Sequence, residues 1–81
     1  MRTFTKITKL KLKDKFGRIE SYRIVEITTE QGISYGIYLE VGAKDYLRYS
    51  TESLDDLNRQ YQSILRQAKQ DDKRYYVCRI L

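Results

Sequence analysis

The 81-residue chain predicts an α+β fold: an antiparallel β-meander of four strands, one amphipathic helix on one face, and a C-terminal strand, in the order ββββαβ. Three observations carry this expectation. Turn signals divide the first fifty residues into four extended segments, the apolar spacing changes from two to three and four after Ser53, and the last residues return to a β-branched and aromatic run. A chain of 81 residues builds one hydrophobic core, so residues 1–81 are expected to form a single domain.

The turn signals are Asp14-Lys15-Phe16-Gly17, Glu30-Gln31-Gly32 and Gly42-Ala43-Lys44. In the third segment Ile33, Tyr35, Ile37, Leu39 and Val41 alternate with Ser34, Gly36, Tyr38 and Glu40, which predicts a strand with one buried face at the centre of the sheet. From Ser53 to about Gln70, Leu54, Leu57, Tyr61, Ile64, Leu65 and Ala68 share one helical face. Ser53 is the expected N-cap, with Ser50 and Thr51 as rivals; Asp55 and Asp56 suit the first turn, and Arg66 and Lys69 the last. Arg74 to Leu81 predicts the final strand, beside either the first or the fourth.

The strand Tyr35-Gly36-Ile37-Tyr38-Leu39-Glu40, followed by a hairpin and an amphipathic helix, resembles a small uncharacterised family of clostridial-type proteins. Members of that family carry a Tyr-Gly-Ile strand ending in an acid. The resemblance spans about residues 22–66, the C-terminal Tyr-Tyr-Val-Cys-Arg-Ile-Leu strand departs from it, and it implies no activity.

Eight tyrosines contribute to the 41% hydrophobic content, so tyrosine must supply part of the core and of any binding surface. The net charge of +5 is local: residues 1–18 hold seven basic side chains and one acid, and the remainder is close to neutral. Such a segment attracts phosphates or an acidic protein surface, or else serves as a lysine-protected edge strand. The chain has no histidine, which removes the commonest general base and metal ligand, and the single Cys78 can make neither a zinc site nor an internal disulfide. Its four glycines form no phosphate-cradling motif. The pairs Asp55-Asp56 and Asp71-Asp72 read as helix-terminal charge, and Cys78 as a small core residue. No catalytic residue, cofactor or metal is therefore expected. With no apolar run long enough for a membrane span or signal peptide, a cytoplasmic location is expected.

Hairpin loop lengths determine which residues face one another. A two-residue loop at Lys15-Phe16 pairs Leu12 with Ile19, and a three-residue loop at Glu30-Gln31-Gly32 pairs Ile27 with Tyr35 and Val25 with Ile37. A three-residue loop at Gly42-Ala43-Lys44 pairs Leu39 with Leu47 and Ile37 with Tyr49. This register sends Leu10, Leu12, Ile19, Val25, Ile27, Tyr35, Ile37, Leu39, Leu47 and Tyr49 toward the helix. The opposite face then holds Ile7, Ile24, Tyr38 and Arg48 in one row and Lys9, Tyr22, Glu40 and Tyr46 in the next, with Lys11 beside Glu20. Gly36, opposite Glu26, marks a bulge or a close approach.

An exposed apolar and aromatic patch rimmed by charge marks an interaction site, so Ile7, Lys9, Lys11, Tyr22, Ile24, Tyr38, Tyr46 and Arg48 are the candidate partner-binding residues. The competing reading of the same residues is ordinary cross-strand packing. The expected function is non-enzymatic binding of a protein partner or of a second copy of the chain. Its role would be regulatory or inhibitory, as in small phage and mobile-element inhibitors of host enzymes. The alternative is nucleic-acid binding through the basic first strand and exposed tyrosines, opposed by Glu20, Glu26 and Glu40, which this register puts on the same face.

Overall fold

The computed structural model describes residues 1–79, with side chains as far as Val77. Its elements are β1 (Thr3–Lys13), β2 (Ile19–Thr29), β3 (Gly32–Val41), β4 (Lys44–Thr51), α1 (Leu54–Gln70) and β5 (Arg74–Arg79). The strands form one antiparallel sheet in the order β4-β3-β2-β1-β5, which is the expected ββββαβ arrangement. β2, rather than β3, is the central strand. β5 lies beside β1, so over Thr8–Lys13 the lysine-rich strand is hydrogen-bonded on both sides and is not an edge. The expected final strand is observed through Arg79; residues 80 and 81 and the side chain of Cys78 lie outside the described residues.

The helix begins and ends as its residues dictate. Ser53 is extended, and its side chain accepts a hydrogen bond from the Asp56 amide at 3.2 Å, which makes it the N-cap in preference to Ser50 and Thr51. At the other end Asp72 has φ 56°, the Lys73 amide donates to the Ala68 carbonyl at 2.8 Å and the Asp72 amide to the Lys69 carbonyl at 3.3 Å. This is a Schellman closure with an aspartate where glycine is usual. α1 crosses from one sheet edge, at β4, to the other, at β5. Leu57 packs on Ile24 and Ile37, and Ala68 packs on Leu10 and Leu12. Tyr22, Tyr61 and Ile64 contact both clusters, so tyrosine does join the core.

Three turns set the register, and each differs from the expected one. At the first, Asp14 Oδ1 accepts the amides of Phe16 and Arg18, both at 2.9 Å, while Gly17 takes φ 82°. The loop therefore holds one residue more than expected, and Ile19 pairs with Lys13 instead of Leu12. At the second, Glu30-Gln31 alone forms the loop, one residue fewer, so Ile27 pairs with Ser34 and Val25 with Gly36. These two slips have opposite sign and flank β2. Their combined effect is to turn β2 over while β1 and β3 keep their expected faces. Tyr22 and Ile24 consequently point to the helix, and Val25 and Ile27 to the opposite side. The third loop is Gly42-Ala43, and a bulge leaves Arg48 without an opposite residue. Ile37 still pairs with Tyr49, but Leu39 meets Tyr46 and Leu47 meets Tyr38.

Candidate functional site

The face of the sheet away from α1 is organised by a bulge in β1. Lys9, Lys11 and Lys13 alternate onto this face, whereas strict alternation would point Lys6 at the helix. Ile7 is the extra residue: Lys6 pairs with Val25 and Thr8 with Ile24. The inserted residue turns Lys6 back to the side of the other lysines, so β1 presents Lys6, Lys9, Lys11 and Lys13 together. β5 extends the arrangement by setting Arg74 opposite Lys13 and Tyr76 opposite Lys11; Tyr76 is about half exposed.

The corrected register also sorts the acids. Glu20 and Glu26 belong to the helix side with Tyr22 and Ile24. There Glu20 accepts the Lys73 ammonium at 2.6 Å and the Tyr22 hydroxyl at 3.3 Å. On the helix-free face the carboxylates are Glu40, paired with Lys9 at 3.3 Å, and Asp45, paired with Arg23. Among the described residues no carboxylate pairs with Lys6, Lys11 or Lys13. The Arg23 Nε–H is buried and has no acceptor there. The face is thus strongly positive, and its two acids are already neutralised.

Beyond the lysines the same face becomes apolar. Val25 and Ile27 are 3% and 9% exposed although no helix covers them. Tyr38, Leu47 and Ile27 converge over Gly36, where a Cβ would stand 2.9 Å from Tyr38 Cε2, 3.4 Å from Leu47 Cδ1 and 3.5 Å from Ile27 Cδ1. Gly36 is therefore a close-approach glycine that lets the Tyr38 ring lie down on the sheet. Between Phe4 and Tyr38, with Val25, Lys6, Arg23 and Asp45 as the remaining walls, lies a groove of about 390 Å³.

Of the candidate partner-binding residues, Lys9, Lys11 and Tyr38 stand on this face as expected. Ile24 is 2% exposed and belongs to the core, and Tyr22 packs against both core clusters; both are corrected because β2 is inverted. Tyr46 moves to the helix side opposite Leu39. Arg48 is the bulged residue of β4, and its charge acts on the Tyr22 phenol on the helix side. Ile7, the bulged residue of β1, is 38% exposed. Phe4, Lys6, Arg23, Val25, Asp45 and Leu47 also stand on this face and escaped the sequence register, and Lys13 joins them by alternation with Lys9 and Lys11. A usable signal existed for Lys6. The steps Lys6, Lys9, Lys11, Lys13 run three, two, two, and a single odd step in a period-two series is what a bulge produces.

Four groups are displaced from their ordinary protonation range, each away from neutrality. Burial, followed by the charge and hydrogen bond of Glu20, raises the Tyr22 phenol. The hydrogen bond between Tyr49 and Asp56 raises the phenol and lowers the carboxyl, and the hydrogen bond to Glu20 raises Lys73. Such groups hold structure and are not poised for proton transfer. Among the described residues no cluster of three or more acidic or sulfur ligands could hold a metal ion, and no helix is long and apolar enough to cross a membrane. Comparison with protein-family models, curated proteins and solved structures gives no match.

Proposed function

We propose that the chain is a non-enzymatic binding module that holds single-stranded nucleic acid against the helix-free face of its sheet. The observation that carries this reading is the bulge at Ile7, which brings Lys6 onto the face of Lys9, Lys11 and Lys13, on a strand that β5 covers over Thr8–Lys13. Lysines on a paired strand have no edge to protect, so that structural purpose falls away for Lys9, Lys11 and Lys13. Alternate residues of a strand lie roughly 7 Å apart, close to the step between successive phosphates of an extended single strand. Tyr76 opposite Lys11, Tyr38 opposite Arg23 and Phe4 two residues before Lys6 supply aromatic rings beside the cations. Glu20 and Glu26, whose charge would oppose phosphate, stand on the other side.

Fluorescence anisotropy with a labelled 12-nucleotide single strand tests the reading. If three or four cations replace counterions, log K falls against log salt with a slope of about −2 to −3. Lys11→Ala should then make the slope shallower by about 0.7. Absence of binding near 50 mM salt, or binding indifferent to salt, overturns it.

A protein partner or a second copy of the chain is the second reading, in a regulatory or inhibitory role. It is favoured by Phe4 and Leu47, which are 52% and 54% exposed at the apolar end of the same face. Leu47→Asp abolishing self-association in sedimentation, with Lys11→Ala silent, would favour this reading over the first.

A further inference from the structure

The groove beside the lysine row has walls of two kinds, and neither the row nor a general affinity for phosphate explains both. Phe4, Val25 and Tyr38 line it with flat or branched apolar surface, while Lys6 and the ion pair of Arg23 with Asp45 stand on the same rim. Its volume of about 390 Å³ falls within the range of small-ligand pockets, roughly 300–1,000 Å³. An apolar slot next to the Lys6 cation complements a nucleotide unit, in which a flat ring is joined to an anion. Lys6 connects the two features, because it lines the groove and also begins the lysine row.

We infer that this groove is a base-binding subsite that takes one unstacked nucleobase between Phe4 and Tyr38, with the adjoining phosphate at Lys6. The inference rests on the nucleic-acid reading and narrows it to strands whose bases are free. Duplex DNA presents phosphates but keeps its bases stacked and out of reach of such a slot. Gly36 is then a specificity-determining residue without touching the ligand. Its φ lies outside the left-handed region, so the backbone there does not require glycine; the 2.9 Å approach of Tyr38 Cε2 to the Cβ position does. A methyl at position 36 displaces the Tyr38 ring and reshapes the slot, while leaving every lysine in place.

The test compares three probes of equal length on the whole chain: a single strand with all its bases, an abasic sugar-phosphate strand, and a duplex. The base-containing strand is expected to bind roughly tenfold or more tightly than the abasic one, the difference that loss of an aromatic stack produces. Phe4→Ala and Gly36→Ala should each lower its affinity several-fold toward the abasic level with the salt slope unchanged, and a base-to-abasic ratio unaltered in Phe4→Ala overturns the subsite. Phe4 is about half exposed, so its truncation leaves the fold intact and keeps the result readable if Gly36→Ala perturbs the sheet. Equal binding of the base-containing and abasic strands overturns the subsite and leaves a phosphate-binding face standing. Binding of the duplex as tight as the single strand overturns it as well. Failure of all three probes overturns the subsite and the nucleic-acid reading together.

Discussion

Asp14 shows how much one side chain can decide. Its carboxylate gathers two amides of the first turn, and Gly17 accepts the left-handed backbone that follows, so the loop takes one more residue than a tight two-residue turn. An aspartate at the first turn position and a glycine three residues later are both visible in the sequence, yet the two-residue loop expected at Lys15-Phe16 missed the longer turn that they form. Asp56 illustrates a different effect of one contact. The Tyr49 hydroxyl donates to its carboxylate and holds that carboxyl below its ordinary value. A lowered folded value means that its stabilising contribution is present above the unfolded value and is lost as the pH falls through the folded one. Tyr49→Phe removes the largest cause, so NMR titration of Asp56 should show its pKa rising. An unchanged value would refute this cause.

The elements record how local signals combine. The start and the buried face of α1 were readable, because a Ser/Thr cap, an acidic first turn and an apolar stripe all point the same way. Its C-terminal closure is the exception, since Asp72 occupies a left-handed position that glycine adopts without strain. Asp72→Gly should stabilise the domain by about 0.5–1 kcal/mol, the balance between relieved backbone strain and the greater freedom of glycine in the unfolded chain. The midpoint of urea denaturation checks it, and a lower midpoint would mean that the Asp72 side chain contributes more than its backbone costs. β1 was read correctly as a strand and incorrectly in pattern. Its bulge gives Lys6 a face that simple alternation denies it, and the same device on β4 exchanges the faces of Tyr46 and Leu47.

At the scale of the whole molecule the two faces of the sheet have different work. The helix side holds the core, and the other side holds the lysine row and the apolar groove. A pair of substitutions distinguishes them. Ile24→Ala should cost about 2–4 kcal/mol because Ile24 is enclosed by Ile37, Leu57 and their neighbours. Leu47→Ala, at 54% exposure, should cost less than about 1 kcal/mol. Thermal denaturation of the two variants settles the assignment, and equal losses would restore Leu47 to the core.

The amino-acid sequence by itself determined the number, kind and order of the elements and the concentration of positive charge at the N-terminus, and it narrowed the helix cap to three residues. These follow from local properties: spacing of apolar residues, turn chemistry and composition. Which face each residue of β2 occupies was decided only in the tertiary structure. One-residue changes in two neighbouring loops invert a whole strand, because the side-chain period is two. The placement of β5 likewise depends on α1 crossing the sheet, a long-range packing result that no local signal encodes. The candidate site inherits both decisions. Its lysines were visible in the chain, but their shared face, their freedom from Glu20 and Glu26, and the groove beside Lys6 exist only once β2 is turned over and Ile7 bulges.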